Sequence, residues 1–188
     1  MTYVFLDLET TGLDPNLSDI LEVGIVVYDK NFNKLGVFNE VAHYRHPNTN
    51  SSACNPWVDP HVIDMHTKNG LWTECDASQR SLRQVERDAI EFLKAGGWEK
   101  QPLAGSTINF DRSFLQTHML KLHDVFHYRN IDVSSFKNIW KMYDMPELQA
   151  NEKKEAHRAV PDCEESAMAL LAMLSELEFP LNVATPKL

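Results

Sequence analysis

The first 42 residues hold three strand-length runs joined by links too short to carry a helix. Tyr3–Glu9 reads YVFLDLE, Ile20–Tyr28 reads ILEVGIVVY, and Lys34–Ala42 is a third run. Branched and aromatic residues dominate the first two, as a pleated, buried surface favours. Thr10–Ser18, with Gly12, Asp14 and Pro15, and Asp29–Asn33 read as turns. Parallel neighbours need a crossover of about a dozen residues or more. These three runs are therefore expected as an antiparallel meander, which needs helices or further strands to cover it.

The rest of the sequence supplies them. Asp59–Pro60 is a cap followed by a first-turn proline, and Gly70 is a helix stop, so 60–69 is predicted helical. Ser81 and Gln84 fit a capping box, Leu82, Val85, Ala89, Phe92 and Leu93 recur at helical spacing, and Gly96–Gly97 ends the run. Pro102–Thr107 reads as a strand, and Phe114, Leu115, His118, Met119 and Leu122 as one amphipathic helix. Asn130–Ser134 is a further short strand, Phe136–Tyr143 a helix, and a last helix runs from Pro161 to about Leu177. His43–Asn55 and Asp144–Ala156 are polar and read as loops. The order predicts one α/β domain over 1–188, a mixed five-stranded sheet with helices packed on it.

Composition removes several classes. With 43% hydrophobic and 24% charged residues the chain is an ordinary globular one. Its longest purely apolar run, Ala167–Leu174, is far short of the ~18 residues of a membrane span. The acids in MTYVFLDLET leave no apolar core for a signal peptide, so a cytoplasmic protein is expected. Cys54, Cys75 and Cys163 are widely spaced without a CxxC pair, which points to reduced thiols rather than a disulfide framework or zinc ribbon. The net charge is −9 with no basic stripe, which argues against a long electrostatic groove for nucleic acid. Phosphate-loop, dinucleotide, zincin and serine-hydrolase motifs are absent.

Asp7 and Glu9 share one face of the first strand with Tyr3 and Phe5, so that face turns from aromatic to acidic at its carboxyl end. Ligands of open α/β sheets collect at such ends. Taken singly, Asp111 and Asp162 are acids at helix starts, where the helix dipole favours them, and His157 is a loop histidine. Taken together, four carboxylates and an imidazole form a set that suits hard divalent cations. Two such cations ~3.5–4 Å apart would clamp the oxygens of an in-line phosphoryl transfer. A histidine of pKa ~6.5 would deprotonate the attacking water.

These motifs resemble a known family. Asp7-Leu8-Glu9-Thr10-Thr11-Gly12-Leu13, Asn109-Phe110-Asp111 and His157-x4-Asp162 match the DEDDh 3′→5′ exonucleases, which have an RNase H-like fold. The resemblance implies Asp7, Glu9, Asp111 and Asp162 as ligands of two Mg²⁺ or Mn²⁺ ions, and His157 as general base. Within that superfamily the chain is similar to the oligoribonucleases, through His66-Thr67-Lys68-Asn69-Gly70-Leu71 and His127-Tyr128-Arg129-Asn130-Ile131-Asp132-Val133-Ser134. That likeness implies short single-stranded RNA as substrate and a homodimer. It implies that Arg129 and Ser134 bind the 5′ phosphate, that Tyr128 reaches the other subunit's site, and that Leu13 and Trp57 pack on bases. His66 joins the expected substrate site. Thr10 and His157-Arg158-Ala159 lean instead toward the proofreading exonucleases, so a DNA exonuclease is the alternative; a binding module without catalysis is a third reading.

Overall fold

The computed structural model describes residues 2–45, 58–145 and 157–177. Strands β1 (Tyr3–Thr10), β2 (Ile20–Tyr28) and β3 (Lys34–Val41) form the expected meander. Then come α1 (Pro60–Lys68), α2 (Leu71–Ala77), α3 (Leu82–Ala95), β4 (Pro102–Gly105), α4 (Asn109–His118), α5 (Leu120–His123), β5 (His127–Asp132), α6 (Val133–Met142) and α7 (Ala159–Glu176). The sheet order is β3-β2-β1-β4-β5. β1–β2 and β2–β3 are antiparallel, whereas β4 runs parallel to both β1 and β5. This is the five-stranded mixed sheet that the sequence predicts. Among the described residues no helix is long and apolar enough to cross a membrane.

Side-chain alternation sorts the core into two layers. Val4, Leu6 and Leu8 of β1 face α3 and α4, packing with Val85, Ala89, Phe114 and Leu115. Phe5 and Val26 face the other way, toward Val133, Trp140, Cys163 and Leu170 of α6 and α7. Asp7 and Glu9, in step with Phe5, thus belong to the α7 face. The centre of the sheet is buried on both sides, which is why β2 is apolar almost without a break.

Four local expectations need correction. Helix α2 was not foreseen, because Gly70 reads as a stop for α1; at φ 81° it also serves as the N-cap of α2, which buries Leu71, Trp72 and Cys75. The single helix expected through Leu122 breaks at Met119 (φ −136°, ψ 54°). The Glu86 carboxylate accepts from the backbone N–H groups of Lys121 (2.9 Å) and Leu122 (3.2 Å), and so restarts the chain as α5. Strand β5 begins at His127, and Val133–Ser134 belong to α6, because Asp132 caps that helix by accepting from Ser134 N at 3.0 Å. α7 starts at Ala159, two residues before Pro161, which a first turn tolerates.

Candidate active site

β1, β4 and β5 point the same way, so their carboxyl ends meet at one edge of the sheet. Asp7 and Glu9 lie at this end of β1. Asp162 comes from the first turn of α7. One carboxylate oxygen each from Asp7, Glu9 and Asp162 can be chosen so that all three lie within 4.8 Å of one another. The fourth acid, Asp111, stands in the first turn of α4 and is 3% exposed. β4 pairs only with Val4 and Phe5, so β1 runs on past it, and the freed Leu8 N–H donates to Asp111 Oδ1 at 3.0 Å.

What lets α7 come so close to β1 is a small residue on the neighbouring strand. Gly24 sits opposite Asp7 in the β1–β2 register. A Cβ there would lie 2.6 Å from the Ala159 carbonyl carbon. Only glycine leaves room for the start of α7 to rest on the strand.

Such crowding of carboxylates disfavours their charged forms. Desolvation, followed by Asp111, Glu9 and Asp162, drives the Asp7 pKa well above the usual carboxylate range. Burial and then Asp162 and Glu22 raise Glu9 to about 8, while Arg158 opposes them. Burial lifts Asp111 to about 7, against the pull of backbone N–H donors including Leu8. A site made only of carboxylate oxygens, with protons held this tightly, fits hard divalent cations, which replace the protons and remove the repulsion. The residues present therefore match the metal chemistry that the sequence pattern implies.

His66, on α1, is fully buried, with Nε2 3.6 Å from Glu9 Oε2. Burial pushes its pKa down to about 4, so it is neutral near pH 7 and makes no ion pair there. His157 is exposed at the approach to α7, in the left-handed region at φ 37°. Its backbone carbonyl accepts from Asn69 Nδ2 at 2.7 Å.

Sequence reasoning did not single out Glu22 and Glu74. Glu22 sits directly opposite Glu9 on β2 with its side chain wholly buried. Arg158 binds it through Nε and Nη2, both at 2.9 Å, and binds Glu74 through Nη1 and Nη2, both at 2.7 Å. Ala159 N adds a bond to Glu22 at 3.1 Å. The available signal was a lone acid inside the apolar run ILEVGIVVY, since a buried charge needs a partner.

The remaining expected residues are spread along the same edge and beyond it. Leu13 is 78% exposed on the loop after β1. That loop is fastened by His118 Nε2 donating to Pro15 O (2.7 Å) and by Thr10 Oγ1 donating to Gly12 O (2.8 Å). Ser134 Oγ lies 3.0 Å from Thr107 Oγ1, where the chain leaves β4. Tyr128 and Arg129 are exposed at a register shift in β5, with the guanidinium carbon 5.4 Å from the tyrosine ring centre. The Tyr128 ring also packs on that of His127, with centroids 4.4 Å apart. Trp57 lies outside the described residues.

A mixed sheet of this order, with acids from its central strand and two helix starts meeting at one edge, defines a hydrolase of the exonuclease class. The sequence pattern of the exonuclease family RNase_T matches residues 4–170. The oligoribonuclease of Haemophilus ducreyi is 37% identical over 164 residues, 87% of each chain. That of Colwellia psychrerythraea is 34% identical over 181 residues, 95% of this chain and 96% of its own. The chain belongs to the DEDDh 3′→5′ exonucleases, on their oligoribonuclease branch. Among solved structures, the Mg²⁺- and Mn²⁺-bound S. pombe Pop2p superposes with a TM-score of 0.67 at 14% identity, over 92% of this chain and 82% of its own. E. coli exonuclease I in complex with a dA13 oligonucleotide gives 0.62, also at 14% identity, over 93% of this chain. This chain spans about 40% of exonuclease I, so that likeness speaks for the fold.

Proposed function

We propose that this chain hydrolyses short RNA oligonucleotides from the 3′ end to nucleoside 5′-monophosphates, with residues 1–188 acting as one exonuclease domain. The observation that carries the reading is the convergence of Asp7, Glu9 and Asp162, with Asp111 tied to the same strand. These four would hold two divalent cations, Mg²⁺ or Mn²⁺. Cations bound there supply Lewis acidity and neutralise charge that builds on the phosphoryl group. His157, exposed at the rim, takes the proton of the attacking water as general base.

Substrate is held by the rest of the edge. Leu13 offers an exposed apolar surface to a base; the family likeness assigns Trp57 the same task, and His66, buried beside Glu9, supports the site from behind that acid. Ser134 and Arg129 take the 5′ phosphate, where an arginine fork suits a terminal phosphate. Tyr128, exposed on the edge strand β5, fits a homodimer in which it reaches the partner's site. Exposed Phe136 and Ile139 on α6, with Tyr143 just after it, supply an apolar surface for that contact. Buried free Cys75 and Cys163 are consistent with a reducing cytoplasm.

The deciding experiment compares kcat/KM on 5′-phosphorylated 2-mer, 5-mer and 20-mer RNA and DNA with Mg²⁺. The proposal expects RNA of two to five nucleotides to be cut fastest. Preference for the 20-mer DNA would instead favour the proofreading-like reading, which Thr10, Thr11 and Arg158 support. No turnover of any of them would leave a binding module.

A further inference from the structure

The backbone at His157 is held from outside the chemistry. A non-glycine residue keeps a left-handed φ of 37° only where its surroundings over-determine it. Two contacts hold the chain on the carboxyl side of this residue. The Asn69 amide donates to the His157 carbonyl at 2.7 Å. One residue on, the Arg158 guanidinium spends four of its five N–H groups on two carboxylates, Glu22 at 2.9 Å and Glu74 at 2.7 Å, two to each. Fork-on-fork pairs of this kind fix direction as well as distance.

The partners come from distinct parts of the fold. Glu22 is buried in β2 and is part of the rigid sheet. Asn69 is the C-cap of α1 and Glu74 lies in the first turn of α2, with Gly70 between the two helices. The α1–α2 corner therefore grips the chain at 157 and 158, while Glu22 ties that grip to the strand opposite Glu9. The same corner carries His66, beside Glu9.

We infer that Asn69, Glu74, Glu22 and Arg158 are positioning residues that aim the His157 imidazole at the acidic cluster. The inference rests on His157 being the general base. A base works only within hydrogen-bond reach of the proton it takes, and a misplacement of about 1 Å lowers a rate by roughly a hundredfold. The latch makes the direction of His157 depend on where α1 and α2 lie, so the side of the site that receives the base of the substrate also sets the side that activates water.

The test places Asn69→Ala, Glu74→Gln, Arg158→Gln and Arg158→Lys in both the wild-type and the His157→Ala backgrounds. Steady-state kinetics use a 5′-phosphorylated RNA dinucleotide at saturating Mg²⁺, beside thermal melts. In the wild-type background Asn69→Ala and Arg158→Gln should lower kcat by about 10–100-fold, with KM within about threefold. Lys at 158 reaches one carboxylate but not both as a fork, so it should recover only part of the loss. In the His157→Ala background the same changes should cost less than about twofold, because residues acting through one group are not additive. The His157 ring resonance should shift in Asn69→Ala and Arg158→Gln, whereas that of His123 should stay. Equal losses in both backgrounds overturn the latch and leave these residues as stability elements. An inactive His157→Ala with unchanged kcat in Asn69→Ala and Glu74→Gln also overturns it while the base reading stands. A fully active His157→Ala removes the base reading and the latch together. If Arg158→Gln fails to fold because Glu22 is left unpaired, Asn69→Ala and Glu74→Gln, both at partly exposed sites, decide the matter.

Discussion

At the scale of single residues the site is a stability problem solved by a ligand. Three neighbouring carboxyls hold protons more tightly in the folded chain than in an unfolded one. For Glu9 the pKa moves from an ordinary 4.5 to about 8. A raised folded-state pKa contributes stability fully present below the unfolded value and lost as pH climbs through the folded one. In EDTA the melting temperature should therefore fall between about pH 4.5 and pH 8, and Mg²⁺ should restore it at the upper end. A flat profile in scanning calorimetry would contradict this. Asp7→Asn should lower turnover by roughly a hundredfold or more, yet raise the melting temperature in EDTA at pH 8, since it removes one repelling charge. The positions of the four acids were legible in the sequence because strand alternation and helix starts are local patterns, whereas His157, in a loop, was singled out only by the family resemblance. The Glu22–Arg158–Glu74 network was not: its members stand 136 and 84 positions apart, and no local period joins them.

At the scale of elements, the approach of α7 to β2 decides where Asp162 stands. Gly24→Ala would put a Cβ 2.6 Å from the Ala159 backbone, which cannot yield as a flexible side chain would. The substitution should push α7 away from β1, destabilise the fold by about 1–3 kcal/mol, and lower kcat by more than the loss of folded protein explains. A thermal melt and a turnover assay at 15 °C below the midpoint, a temperature chosen to be about clear of unfolding, separate the two effects. The meander, α1, α3 and the final helix could be read from periodicity and capping residues. α2 and the α4–α5 break could not, because one depends on a glycine serving two helices and the other on Glu86 reaching in from α3. Both are tertiary decisions made over a locally ambiguous stretch.

At the scale of the whole molecule, net charge and the proposed dimer govern what the enzyme should hold. Each phosphate neutralised on a single strand adds about −0.7 to the slope of log K against log salt. With a net charge of −9, cleavage of short RNA should show a shallow slope, of about one phosphate. Ile139→Glu, on the exposed face of α6, should shift the protein to monomer in sedimentation and reduce dinucleotide cleavage. Mixing two inactive proteins, Asp162→Ala and Tyr128→Ala, should regain activity through heterodimers that hold one intact composite site; no recovery after subunit exchange would confine the site to one chain. One feature of the fold reaches further than any of these. β1 is the middle strand, paired with β2 along its length and with β4 at Val4 and Phe5, and covered on both faces; it also carries Asp7 and Glu9. Its amides should exchange with solvent only when the entire protein opens. Catalysis and the native state should then vanish in one cooperative step: in a urea titration, loss of activity and change in tryptophan fluorescence should superimpose, with no half-open form still able to cut RNA.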